Sequence, residues 1–465
     1  VEWCSNFAPL DIDVTAAAAY DIPADWTLPL TNFEEFLRAD NLPDYPMEFW
    51  LRISLAGPID VERWSQSFWT LVATQPFLTA RLRAAQAGGW ELTAGAATPC
   101  MLNFGPAPPR HVASPIDLEQ QPGLRCWVDN TCEPTRITLQ CQHVISDAVG
   151  VLGWLALVAQ HYKAAQPAPP VSVTPAQLQV RDGQPQSVWQ RCLHGPYDIL
   201  GSAGLIEYIS HQPATLVPAR AGTEISTQLL EQPETELGFT LTEEETARLQ
   251  ATAKRFKVTV NDLLAAALFR VLHARLKADA PREALRPLRI IIPKSLRDPA
   301  DLHWLVANQV GMLFLDRRPG WFSDRWLLWT VQLELTLCKR WHAGRTFVRI
   351  LDWSQRWFGT LRWLQPTHRA TTTAVQSNLG DAWRLIDWPR DHAAVSPVLL
   401  EFWPPVRPFT AVSLGIAKTN GQLTVMFNWD RHRLPASVAG ELVDHYRKEL
   451  DRWTRIDTEP TSGHC

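Results

Sequence analysis

The chain has 465 residues, 46% hydrophobic and 20% charged, a globular composition with room for two ordinary domains. A formal net charge of -4 argues against a protein whose main task is to neutralise a phosphate backbone, so nucleic acid is not an expected partner. The eight cysteines form no CxxC pair and lie at no zinc-finger spacing from a histidine, so no metal site is expected.

Scattered thiols in a chain of this length fit a reducing, cytoplasmic setting. No basic start followed by an apolar run opens the sequence, so no signal peptide is expected. The longest apolar stretch, residues 148–159, falls short of the roughly 20 residues a bilayer demands, so no transmembrane segment is expected. Tryptophan stands out, with 22 copies. Core and surface packing is the simpler account, and a wide channel for an acyl chain or aromatic acceptor is the alternative.

In chain order, residues 48–56 (EFWLRISLA) predict a strand and residues 60–74 a helix stopped by Pro76. Residues 124–129 (LRCWVD) and 136–143 (RITLQCQH) predict two more strands about a turn at residues 130–134. In the second, Ile137, Leu139 and Cys141 alternate with polar residues, so one face is buried. A strongly apolar helix is expected from Asp147 to about Ala164, ended by the proline-rich run QPAPPV. The stretch from there to about Pro233 is loop-rich. The expected division is an N-terminal lobe over residues 1–172, a connection over 173–234 and a C-terminal lobe over 235–465.

The second lobe opens with a short strand at residues 237–241. Thr242 and Glu245 then form a capping-box start for a helix to about Phe256. Residues 262–278 place Leu263, Leu264, Ala267, Leu268, Val271 and Leu272 on one helical face. Residues 288–293 (LRIIIP) predict a buried strand, residues 321–364 a basic, Trp-rich helical stretch, and residues 372–376, 411–417 and 423–429 further strands before a closing helix at 436–452. No short fixed-period repeat is present, so a solenoid is not expected.

Chemistry concentrates at Gln142-His143-Val144-Ile145-Ser146-Asp147-Ala148. A strand delivers His143 to its end and Asp147 opens a helix, where a carboxylate caps free N–H groups and meets the positive end of the dipole. An imidazole there is a candidate base at physiological pH. HxxxD alone is an unspecific pattern, and a structural histidine beside a helix cap would also produce it. Asp391-His392, Asp430 with His432, Asp444-His445 and Asp301 with His303 read as solvated polar positions. No GxSxG, P-loop, HExxH or GxGxxG occurs. Residues 321–364 carry seven Trp and seven Lys or Arg against three acids. A helical face packed on the second lobe is expected, with a surface for membrane lipid or an acidic carrier protein as the alternative.

The segment from His143 to Asp147 resembles the HHxxxDG motif of the chloramphenicol acetyltransferase-like superfamily, which includes peptide-synthetase condensation domains, alcohol acetyltransferases and wax ester synthases. Similar pieces follow in the family's order over nearly the whole chain: DLEQQPGLR at residues 117–125, the helix pair within residues 239–272, IPKSLR at 292–297, NQVG at 308–311, SNLG at 377–380 and LTVMFNWD at 423–430. The resemblance implies an α/β (α+β) fold of two such lobes, each a mixed sheet with helices, around a central tunnel.

It further implies an acyltransferase that moves an acyl group from a CoA or carrier-protein thioester to a hydroxyl or amine, with His143 as general base and no covalent acyl-enzyme. No cofactor would be bound permanently; acyl-CoA or a phosphopantetheine-linked acyl donor would be a co-substrate. Asp147 would pair with Arg297 and shape the loop, with Gln142 supporting it. Ser377, Asn378 and Asn308 would line the substrate groove, with a polar donor there able to help an oxyanion. The expected partners are a small-molecule acceptor and an acyl or peptidyl carrier protein, with peripheral membrane contact open. The absence of a fused peptide-synthetase domain favours a free-standing enzyme. Two positions depart from the family pattern: its first histidine is Gln142 here, and the glycine after its aspartate is Ala148. A catalytically silent member that binds a carrier or partner protein is the rival reading, and an isomerase-type relative acting on carrier-bound substrates a third.

Overall fold

The computed structural model describes residues 25–86, 88–98, 101–164, 173, 175–178, 181, 211–216, 236–297, 305–341, 343–359, 361, 364, 366–386, 388–389 and 395–455. The elements in chain order are β1 (Thr27–Pro29), α1 (Asn32–Ala39), β2 (Glu48–Leu55), α2 (Val61–Val72), α3 (Pro76–Thr79), β3 (Arg81–Ala84), β4 (Trp90–Thr93), β5 (Leu102–Phe104), β6 (Leu124–Asp129), β7 (Thr135–Gln142), α4 (Ala148–Lys163) and α5 (Pro175–Leu178). There follow β8 (Gly238–Leu241), α6 (Glu243–Arg255), α7 (Val260–Asp279), β9 (Leu288–Ser295), β10 (Val310–Arg317), α8 (Asp324–Arg340), α9 (Ala343–Phe358), β11 (Ala374–Asp381), α10 (Ala382–Leu385), β12 (Pro397–Trp403), β13 (Val412–Thr419), β14 (Gln422–Trp429) and α11 (Ala436–Arg455).

The chain divides into two compact units, and the division is not a single cut. The first comprises Val1–Gln186, Ser295–Val310 and Asp381–Phe402; the second comprises Ser187–Lys294, Gly311–Gly380 and Trp403–Cys465. The proline-rich run and most of the expected connection at 173–234 lie outside the described residues.

In the first unit a five-stranded sheet runs β12-β2-β7-β6-β5, with a small three-stranded sheet β1-β4-β3 beside it in sequence. β7 is central. It pairs antiparallel with β2, Glu48 opposite Gln142, and with β6, Leu124 opposite Cys141. Its central position explains why seven of its eight residues are buried rather than every second one. α4 is apolar on nearly all sides and buried accordingly, with Trp154, Leu155 and Val158 fully covered. The Trp154 indole donates to Leu71 O at 3.2 Å, which ties α4 to α2.

In the second unit a six-stranded sheet runs β10-β9-β11-β13-β14-β8. The capping box at Thr242 and Glu245 forms as read, with Thr242 N donating to the Glu245 carboxylate at 2.8 Å. Thr259 and Asp262 make a second one at the start of α7. α7 is wrapped by the sheet and by α11, where the Tyr446 hydroxyl donates to Leu264 O at 3.1 Å. The helical stretch expected over 321–364 holds two helices, α8 and α9.

Candidate active site

β7 ends at Gln142, and the next five residues form the loop that enters α4. Gln142 is almost fully buried. Its backbone N–H donates to Gly123 O at 2.9 Å and its side-chain Oε1 accepts from Val144 N at 2.7 Å. The side chain thus props the loop from beneath, a task needing only a short-range acceptor, which glutamine supplies.

His143 is partly exposed, and its backbone N–H donates to Met47 O at 2.8 Å. The imidazole packs edge-on against Phe49, ring centroids 5.3 Å apart. Its orientation is set from a distant part of the sequence. Asn308 Nδ2 donates to His143 O at 2.8 Å and to Val144 O at 2.9 Å, which uses both amide hydrogens. The amide oxygen is therefore the atom facing His143 Nδ1, at 3.2 Å. An oxygen offers only lone pairs, so Nδ1 carries the hydrogen and Nε2 keeps a free pair. Burial lowers the pKa of His143 from its ordinary 6.5, outweighing smaller raising contributions from hydrogen bonds and from Asp147. At neutral pH the ring is uncharged.

Asp147 makes no hydrogen bond to His143. Oδ1 accepts from Gly150 N at 2.8 Å, as the N-cap of α4, and from Arg297 Nη2 at 3.0 Å; Oδ2 accepts from Gln309 N at 2.8 Å. Arg297 Nη2 also donates to Ala307 O at 2.9 Å, and the pair is buried, with side chains 2% and 9% exposed. Asp147 is thus a fastener between the loop and Arg297 and Gln309. The segment Ser295–Val310 belongs to the same unit as the histidine loop, which is how residues 150 or more positions apart in sequence meet.

Ala148 is the first residue of α4 and lies in an ordinary helical turn, so no glycine is needed there. Gly150 is the tight position instead. A Cβ on it would lie 2.6 Å from Leu305 O and 2.7 Å from Arg297 Nη2.

Ser377 and Asn378 sit on β11 in the second unit. Neighbours on a strand face opposite ways, so they do not share a face. Asn378 lies with Gln376 on one side, where both side chains donate to Asn261 Oδ1 at 3.0 Å; its own Oδ1 accepts from Gly380 N at 2.8 Å. Ser377 is half-buried on the other side.

Asp430 is buried and accepts from Phe409 N at 3.1 Å, a structural role; Asp444 and His445 are exposed on α11. Asp391, His392, Asp301 and His303 lie outside the described residues. Among the described residues no cluster of three His, Cys, Asp or Glu could hold a metal ion. Cys126 and Cys141 are buried on the sheet, and burial pushes both thiols far above their usual range, so neither is poised as a nucleophile. A cavity of about 430 Å³ in the second unit, between Asp316, Arg317, Arg318 and Trp321, includes none of the residues expected to act in or line the acyl-transfer site.

Sequence reasoning gave Asn308 a place along the substrate and missed its grip on the imidazole. It also missed Phe49, Met47 O and Ala307 O. The NQVG segment was the available signal, but nothing in one sequence says what an asparagine 165 residues away touches.

No family model matches this chain, and no curated protein matches it in sequence. Solved structures do match it in shape. The first condensation domain of the CDA synthetase superposes with a TM-score of 0.67 at 14% identity, over 95% of this chain and 99% of that one. A variant of the starter condensation domain of rhizomide synthetase, in complex with C8-CoA and Leu-SNAC, superposes with a TM-score of 0.66 at 15% identity, over 98% of each. Polyketide synthase associated protein 5 from Mycobacterium tuberculosis gives 0.59 at 17% identity, over 91% and 96%. The fold is therefore the two-lobed α+β fold of chloramphenicol acetyltransferase-like proteins and condensation domains.

Proposed function

We propose that this protein is an acyltransferase, moving an acyl group from a CoA or carrier-protein thioester to a hydroxyl or amine, with His143 as general base. The observation that carries the reading is the fixed tautomer. Asn308 holds the hydrogen on Nδ1, and burial keeps the ring neutral, so Nε2 is left as an acceptor at neutral pH.

In the proposed step, Nε2 takes the proton of the acceptor O–H or N–H as that atom attacks the thioester carbonyl carbon. A tetrahedral intermediate forms, the C–S bond breaks, and the thiolate leaves with the proton returned from Nε2. Ester or amide and free thiol result, and the imidazole ends neutral as it began. No acyl-enzyme is required, which agrees with the raised pKa values of the buried thiols near β7. Asp147, Arg297 and Gln142 act by holding the loop. Ser377, Asn378 and Asn308 are proposed to border the substrate. The rhizomide synthetase domain, seen with C8-CoA, supports a thioester donor by likeness of fold.

The test is incubation with mixed acyl-CoAs and acyl-loaded carrier proteins plus hydroxyl and amine acceptors, with released thiol and product followed by mass spectrometry. Turnover of one donor class identifies the substrate. Consumption of none goes against the enzymatic reading and favours a silent binding member of the fold.

A further inference from the structure

We propose that α8 and α9 form a peripheral docking surface for an anionic lipid bilayer. On α8, Trp326, Trp329 and Leu333 are 51%, 47% and 40% exposed at helical spacing, while Leu327, Leu328, Val331 and Leu335 on the other side are buried. On α9, Trp353 and Trp357 are 66% and 74% exposed, one turn apart. Globular surfaces rarely expose this much indole. Trp326 and Trp329 stack on each other, ring centroids 4.7 Å apart, and still face outward.

Charge identifies the occupant. Residues 321–358 carry six Lys or Arg against three acids, a local net charge of +3 in a chain of -4. Of those acids, Asp324 pairs with Arg452 at 2.8 Å and Glu334 with Arg317 at 2.7 Å. Lys339 and Arg340 at the end of α8 and Arg356 on α9 are exposed on the same two helices as the exposed indoles. That pairing suits the headgroup layer, where the ring meets acyl chain, the indole N–H meets water or ester, and arginine meets phosphate. No described helix is long and apolar enough to cross a membrane, so the contact is peripheral. The inference does not depend on acyl transfer.

Flotation of the intact protein with phosphatidylcholine vesicles, with and without phosphatidylserine, tests it. Binding is expected only with phosphatidylserine, weakening as salt rises. Trp353→Ser with Trp357→Ser should weaken it at least tenfold, and Arg340→Gln with Arg356→Gln about fivefold per charge removed. All four side chains are exposed, so melting temperatures should stay within a few degrees of the parent. His143→Ala should bind vesicles as the parent does, which separates this result from any failure of acyl transfer. Binding to neither vesicle, equal binding to both, or undiminished binding by the Trp variant would overturn the proposal. Trp353-dependent capture of an acidic carrier protein without vesicle binding would overturn it too, making the face a protein interface.

Discussion

Asn308 does three things with one amide: it holds two loop carbonyls and accepts from the His143 ring. Replacing it with leucine removes the side-chain acceptor at Nδ1 and leaves only the backbone carbonyls near the ring. The expected loss in kcat is on the order of 10²-fold, the scale of a correctly poised base, with KM changed much less. Nitrogen NMR of the imidazole should show Nε2 unprotonated in the parent and mixed tautomers in Asn308→Leu. The acidic limb of the pH–rate profile is a second readout. Since burial lowers the His143 pKa, activity should hold as pH falls through 6.5 and decline only below it. The Asn308 hydrogen bond raises that pKa, so its removal should shift the limb lower still. A merely structural asparagine would move neither the tautomer nor the limb. At this scale His143 and Asp147 were legible because the strand end and helix start adjoin in sequence. The partner of the ring was not, because hydrogen-bond geometry between residues 165 positions apart leaves no local pattern.

Among the elements, α4 is where loop, helix cap and ion pair converge. The Asp147–Arg297 pair is buried, so Arg297→Ala leaves an unpaired carboxylate and should cost about 3–5 kcal/mol in urea unfolding. Gly150→Ala places a methyl against Leu305 O and Arg297 Nη2, and should lower both stability and activity while leaving helix propensity improved. Most strands and helices were readable from periodicity and capping, as at Thr242. The short strands β1, β3, β4 and β5 were not, nor were β10 and β12. The NQVG run reads as a turn, yet Gly311 is where β10 passes so close to Gly344 that a Cβ would sit 2.3 Å from its carbonyl oxygen. β12 lies between segments rich in proline and tryptophan and joins β2 as the edge of a sheet whose other strands come from the first 142 residues.

For the molecule as a whole, the two-lobed fold was legible from weak motifs in the right order, and solved structures at 14–17% identity bear it out. The exchange of segments between units was not, since composition carries no record of which sheet a later strand joins. Among the described tryptophans the two extremes separate by place. Trp64, Trp154, Trp383, Trp403 and Trp453 are fully buried and fill cores, while the exposed set gathers on α8, α9 and the turn before them. The central claim is that a neutral imidazole at His143 takes the acceptor's proton. Its most direct test is thiol release by the parent and by His143→Ala, at saturating acceptor, with the donor the screen identifies. A loss of about 10²- to 10⁴-fold in kcat with unchanged folding is expected; release at the parent rate would contradict the account.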